Sequence, residues 1–221
     1  MVHVHRHAPS PPDTGGPPFC VLLGPDGAGK STALGRLRED APPWRLLSVD
    51  DGFLRPEDAV IGRLRREVVR DGAEAWSPEF LTAMLQTAVV HLRDRLLRDD
   101  PARPAVVDSY YYKLLAKCRL AGVADNPMFD WWRAFPRPQR VIYLDVAPGS
   151  AWGRCRAGRD LNRLEHYGDR PDRDGFELYQ RDLAKIMWDE IRDLPVTTIG
   201  EEYGPAETAE EIRKVLTDEF R

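Results

Sequence analysis

From residue 19 onward the chain alternates short apolar runs with longer amphipathic stretches. A run of four or five apolar residues between polar turns suits a strand buried on both faces. Five such runs fall at 19–23, 45–49, 105–108, 140–144 and 196–199. Between them apolar residues recur every three or four positions, as on one face of a helix. Leu81, Leu85, Ala88, Leu92 and Leu96 form one such stripe, and Ala209, Ile212, Leu216 and Phe220 another. Ser77 and Pro78 supply a cap and a first-turn proline ahead of the first stripe. Strands alternating with helices predict an α/β domain, a parallel sheet with helices on both faces, over residues 19–221. Residues 1–18 break the pattern, being rich in proline, glycine and histidine. They hold too few apolar groups to offset the entropy of ordering, so a flexible tail is expected. His3, His5 and His7 would share one side of an extended strand and could chelate a metal, but a solvated tail is the stronger expectation.

Composition narrows the class. With 221 residues, 42% hydrophobic and 31% charged, the chain can bury one well-formed core. A net charge of −4 gives no overall attraction to a phosphodiester backbone, so nucleic acid is not expected as a partner. Cys20, Cys118 and Cys155 are odd in number and lack metal-type spacing, which suits reduced thiols in a cytosol. No apolar run approaches the roughly 20 residues that span a bilayer, and the N-terminus lacks the apolar core of a secretory signal. A soluble cytoplasmic protein without a membrane partner is expected.

The most specific motif is GPDGAGKS, Gly24 to Ser31, which matches G-x-x-x-x-G-K-[ST] between an apolar strand and the helix-compatible ALGRLRED. Glycines let successive backbone N–H groups turn inward as an anion nest, and the positive end of the following helix adds to it. Gly24, Asp26, Gly27, Ala28, Gly29, Lys30, Ser31 and Thr32 are therefore the expected nucleotide-binding residues. ATP and Mg²⁺ are the expected cofactors, with Lys30 on the β- and γ-phosphates and Ser31 in the metal shell.

At GPDGAGKST the chain resembles the thymidylate kinases, and the likeness extends over most of residues 19–220. RVIYLDVA (140–147) is similar to that family's fourth strand, RAGRDLNRLEHYG (156–168) to its arginine-bearing lid, and VTTIGEEYGPAETAEEI to its last strand, adenine-side loop and final helix. The resemblance implies a P-loop NTPase of the nucleoside-monophosphate-kinase type: a five-stranded parallel sheet flanked by helices, a lid at about 154–174, and a homodimer. LRPEDAVIGRLRRE (54–67) resembles the segment that supplies an acceptor-phosphate arginine, so Arg55 or Arg66 would inherit that role. Two departures stand out. The arginine expected after Asp108 is Ser109, and AMLQTAVVHL (83–92) lacks the family's base-contacting arginine.

A phosphate acceptor is already ionised, whereas a hydroxyl acceptor benefits from a carboxylate that takes its proton. Asp50 and Asp51 follow the second strand at the sheet edge where open α/β folds bind ligands. Asp50 is the favoured base. Asp26 is a second candidate, because thymidylate kinases place an acid there facing the acceptor's sugar, and Asp51 is expected in the acceptor pocket. Asp108 suits Mg²⁺ or its waters and the acceptor side. Tyr110 and Tyr111 are expected to line the acceptor pocket, with some of the three tyrosines at 110–112 packed in the core. Trp131 and Trp132 are expected to anchor a loop. In the lid, Arg154, Arg156, Arg159 and Arg163 would share a face if helical, and Arg159 and Arg163 are favoured as reaching the transferred phosphoryl group. The expectation is ATP-dependent phosphorylation of a small-molecule hydroxyl, on a nucleoside, sugar or aminoglycoside-like acceptor. The alternatives are a dTMP or nucleoside monophosphate kinase with Arg55, Arg66 or Lys113 compensating, and a non-catalytic nucleotide-binding module.

Overall fold

The computed structural model describes residues 3–5, 16–40, 42–69, 76–159 and 161–221. Strand β1 (His3–His5) is followed by β2 (Phe19–Leu23), β3 (Arg45–Leu47), β4 (Ala105–Asp108), β5 (Arg140–Asp145) and β6 (Val196–Gly200). The last five are parallel, in the order β3-β4-β2-β5-β6. All five expected runs are strands, although β3 ends two residues early, at Leu47. That early end leaves Ser48, Val49 and Asp50 free to turn over the sheet edge. β1 pairs antiparallel with β6, His3 opposite Thr198. The backbone of His3–His5 is thus a sixth, edge strand where a tail was expected, while His7 and the rest of 6–15 lie outside the described residues.

The strands are apolar throughout because each face packs under helices. In β2, Phe19, Val21 and Leu23 face one core and Cys20 and Leu22 the other. β5 alternates likewise, with Val141 and Tyr143 on the first side and Ile142 and Leu144 on the second. The first core is closed by α3 (Pro78–Arg98), α4 (Tyr112–Leu120) and α7 (Arg173–Ile191), the second by α1 (Lys30–Glu39) and α8 (Pro205–Glu219). α2 (Ala59–Val69) packs on α3, while α5 (Pro127–Arg133) and α6 (Pro148–Arg154) complete the helices. The stripe foreseen on α3 is the buried one: Leu81, Leu85, Ala88, Leu92 and Leu96 are all buried. Each large side chain there contributes about 1.5–3 kcal/mol. Ser77 Oγ accepts from the Phe80 amide at 3.1 Å and Pro78 opens the helix.

Strand order positions the site. β2 is central, with β4 and β3 on one side and β5 and β6 on the other, so the chain's crossovers diverge at its carboxyl end. Leu22 stands opposite both Asp108 and Ile142. The loop leaving β2 therefore emerges beside Asp108.

Candidate active site

The loop between β2 and α1 requires glycine where its backbone turns left-handed. Gly27 has φ 76°, and a Cβ there would lie 2.8 Å from the Ala151 carbonyl oxygen and 2.9 Å from Cys155 Sγ. Gly29, at φ 93°, is the residue from which α1 starts. Lys30 Nζ turns back over the loop and donates to the carbonyls of Gly24 and Pro25, both at 3.1 Å. This loop forms one wall of a cleft of about 860 Å³, a volume within the range of small-molecule sites.

Two carboxylates face the start of α1. Ser31 Oγ donates to Asp50 Oδ2 at 2.7 Å. Asp108 accepts from Ser48 Oγ at 2.8 Å and from Ser109 Oγ at 2.9 Å, one hydroxyl on each oxygen. Arg65 of α2 donates to the Val49 carbonyl and, at 3.3 Å, to Asp50 Oδ1. Ser31 and Asp108 are hard oxygen donors and fit Mg²⁺, which takes one or two carboxylates together with substrate phosphates rather than an all-protein cage.

The opposite wall is a buried ionic network. Asp26 Oδ1 lies 2.7 Å from Lys113 Nζ, and Asp26 Oδ2 lies 3.2 Å from Lys117 Nζ. Lys117 also reaches Glu165 Oε1 at 3.6 Å. Gln180 of α7 accepts from the Asp26 amide at 2.9 Å and donates to Asp26 Oδ2 at 3.2 Å. Burial alone would raise the Asp26 carboxyl, but Lys113, Lys117 and Lys30 outweigh it and hold the group well below the usual carboxylate range. Burial, and next the neighbouring Lys113 ammonium, pull Lys30 down to about 7. Lys113 moves the other way because Asp26 outweighs its burial.

Between β4 and α4 the backbone is strained. Ser109 and Tyr110 have φ of 57° and 46°, a region that costs non-glycine residues of order 1–3 kcal/mol each. This turn brings α4 against the loop, so that Lys113 and Lys117, one helical turn apart, share the face toward Asp26.

No protein-family profile and no curated protein sequence matches the chain. Solved structures do. The thymidylate kinase of Candida albicans superposes with a TM-score of 0.61 at 15% identity, covering 92% of each chain. Deoxyadenosine kinase of M. mycoides with bound dATP gives 0.56 at 16% identity, over 90% of this chain and 99% of that one. The same kinase with dCMP and dCDP gives 0.59 at 15% identity with the same coverage. The fold is that of a thymidylate-kinase-like P-loop kinase.

On this P-loop kinase fold the expected nucleotide residues Asp26, Gly27, Ala28, Gly29, Lys30, Ser31 and Thr32 line the cleft, together with Asp50 and Asp108. Other expectations are displaced. Asp26, a candidate base, is instead paired with the ammonium groups of Lys113 and Lys117. Asp51 faces outward and pairs with Arg66 at 2.5 Å, both more than half exposed. Arg55 pairs with Asp58 and Asp99 away from the cleft. The cleft arginine of this segment is Arg65, which the apolar stripe Ile61, Leu64, Val68 could have indicated, since Arg65 lies on the same side of α2. Tyr110 and Tyr111 are both core, Tyr111 packing on Tyr112 as tilted rings with centroids 4.3 Å apart.

The arginine series shares no helix face, because α6 ends at Arg154 and the chain turns through Arg156 and Gly158, both at positive φ. Arg154 lines the cleft and donates to the Ala28 carbonyl at 3.4 Å. Arg159 is exposed, and Arg163 donates to the Val68 carbonyl at 3.0 Å, pinning its segment to α2. Trp132 is fully buried and Trp131 packs edge-on against Phe135, so both anchor α5 and its following turn. Lys117, Glu165 and Gln180 escaped the sequence reading. Gln180 interrupts the buried stripe Phe176, Tyr179, Leu183, Met187 of α7, and a polar residue in such a stripe is a usable signal.

Proposed function

We propose that the protein transfers the γ-phosphoryl group of ATP to a hydroxyl of a small neutral or cationic acceptor. The observation that carries this reading is Asp50, a carboxylate on the turn after β3, inside the cleft and hydrogen-bonded to the loop's Ser31. A carboxylate there would take a hydroxyl proton beside a bound polyphosphate, which is the task of a general base. The charge of the cleft agrees with this. Lys30, Arg65, Lys113, Lys117 and Arg154 face Asp26, Asp50, Asp108 and Glu165, an excess of one positive charge that a bound polyphosphate more than cancels. A further anion has little to attract it, and Ser109 adds no cation. Mg²⁺ held by Ser31 with Asp108 would neutralise phosphate charge. Nucleosides, sugars and aminoglycoside-like amines are the acceptor classes that fit.

Assays with ATP and Mg²⁺ against a panel of these acceptors and dTMP test the reading. Turnover of a hydroxyl acceptor is expected, with Asp50→Asn lowering kcat roughly 10²- to 10⁴-fold while ATP affinity changes little. Efficient turnover of dTMP alone would refute it. The second reading, a monophosphate acceptor, is favoured by one observation, the Arg65 guanidinium in the cleft within reach of an entering phosphate.

A further inference from the structure

The network around Asp26 contains a cation that the reading above leaves without a task. Lys113 is the second residue of α4, almost wholly buried, and its side chain lines the cleft. Its Nζ lies 3.2 Å from the Gly24 carbonyl oxygen, the same oxygen that Lys30 Nζ reaches at 3.1 Å. Two ammonium groups therefore converge on one acceptor at the mouth of a loop built for phosphate. Lys117, one turn further along α4, touches Asp26 and Glu165 instead.

We propose that Lys113 is a second phosphate-binding cation, acting beside Lys30 on the transferable phosphoryl group of the bound nucleotide. This rests on the phosphotransfer reading of the cleft. Three observations carry it. Converging ammonium groups repel, and an anion entering between them relieves the repulsion while gaining two charge-assisted hydrogen bonds. The approach of α4 depends on two consecutive left-handed residues, Ser109 and Tyr110, of which Tyr110 is fully buried; such strain is found where surrounding structure enforces it, as at ligand clamps. Asp26, fixed in turn by Lys117 and Gln180, holds the Lys113 side chain toward Gly24, so it is a positioning residue. In the transfer, a bond forms between the acceptor oxygen and the γ-phosphorus. The bond from that phosphorus to the β–γ bridging oxygen breaks, its electron pair leaves with ADP, and the acceptor's hydroxyl proton passes to Asp50. Lys113 is not consumed; its ammonium group donates to a non-bridging oxygen whose charge changes as the phosphoryl group moves.

The test compares ATP and ADP binding by titration calorimetry, without acceptor, for the wild type, Lys113→Met, Lys113→Arg and Lys117→Met. Lys113→Met is expected to weaken ATP roughly 10- to 100-fold, the loss of one charged hydrogen bond, and to leave ADP within about threefold. Lys113→Arg is expected to restore a substantial part of the ATP-over-ADP preference, and Lys117→Met, which acts only through Asp26, to reduce it by less than Lys113→Met does. Melting temperature and far-UV circular dichroism identify variants that fail to fold; if Lys113→Met is one, Lys113→Gln is read by the same criterion. Equal weakening of ATP and ADP, or an unchanged ATP affinity, overturns the proposal. Because no acceptor is present, a wrong acceptor class leaves this result untouched, whereas a wild-type protein that binds neither nucleotide refutes the phosphotransfer reading itself.

Discussion

Replacing Asp26 by asparagine removes the shared counter-charge of two buried lysines and nearly conserves shape. At an effective dielectric near 20, a pair 2.7 Å apart attracts by about 6 kcal/mol and one 3.2 Å apart by about 5 kcal/mol. Each ion also carries a desolvation penalty of several kcal/mol, so the intact network has little net excess. The variant keeps the penalty on Lys113 and Lys117 and loses the attraction, leaving Lys117 only the more distant Glu165. Breaking a buried pair in this way is expected to destabilise by about 3–5 kcal/mol. For a chain of this size that lowers the melting temperature by about 6–20 °C. Because the folded carboxyl titrates below its unfolded value, its contribution is complete above the unfolded pKa of about 3.9. It is lost as pH falls through the folded pKa. Urea unfolding of wild type and Asp26→Asn should therefore differ clearly above pH 5 and converge in stronger acid. Lys113→Met should cost less in the Asp26→Asn background than alone, because the unpaired cation has gone. A loss below about 1 kcal/mol in Asp26→Asn, the ordinary size for a surface change, or strict additivity of the two substitutions, would refute the account of Asp26 as counter-ion.

Two further outcomes follow from the cleft geometry. Gly27→Ala must fit a Cβ 2.8 Å from a backbone oxygen at φ 76°, so it should cost more than 1 kcal/mol of stability and weaken ATP by at least tenfold, read by calorimetry on the folded variant. Arg65→Met should leave ATP binding within about threefold and raise the acceptor KM if the guanidinium grips an acceptor group; an unchanged KM for every acceptor that turns over would remove Arg65 from acceptor binding.

What could be read from the sequence was local. The strand at 19–23, the phosphate loop and the Leu81–Leu96 stripe each express their physics within about twenty residues, through apolar runs, glycine spacing and helical periodicity. What could not be read depends on partners far apart in the chain. Asp26 appeared able to serve an acceptor because nothing nearby shows that Lys113, Lys117 and Gln180 converge on it across 87, 91 and 154 positions. Arg55, Arg65 and Arg66 are alike in composition, and only the packing of α2 on α3 and the turn after β3 decides which one points inward. The lid arginines were expected on one face because a regular helix was assumed, and the positive φ values of Arg156 and Gly158 interrupt it. Ser109 is the informative departure: a strained, small residue stands where a long cation was expected, and the turn it makes brings the Lys113 cation to the loop instead.

The partners of Asp50 also bear on the order of events. One of its oxygens accepts from Ser31 Oγ and the other from Arg65, and both donors are groups that phosphate or its metal recruits. Before nucleotide enters, the carboxylate is therefore occupied on both oxygens and poorly available to a hydroxyl. On the phosphotransfer reading, nucleotide and its metal would recruit Ser31 and free Oδ2 toward the acceptor side. The acceptor should then bind weakly to the free protein and more tightly once the loop is filled, and by linkage the acceptor should tighten nucleotide by the same factor. Calorimetry of the acceptor with and without a non-hydrolysable ATP analogue measures that factor, expected at roughly 5-fold or more. In Asp50→Asn the factor should fall toward one, because the amide no longer depends on the same partners. Equal acceptor affinity in the empty and filled wild-type protein would show that Asp50 is not gated by Ser31, and the base would have to act from another conformation of the turn after β3.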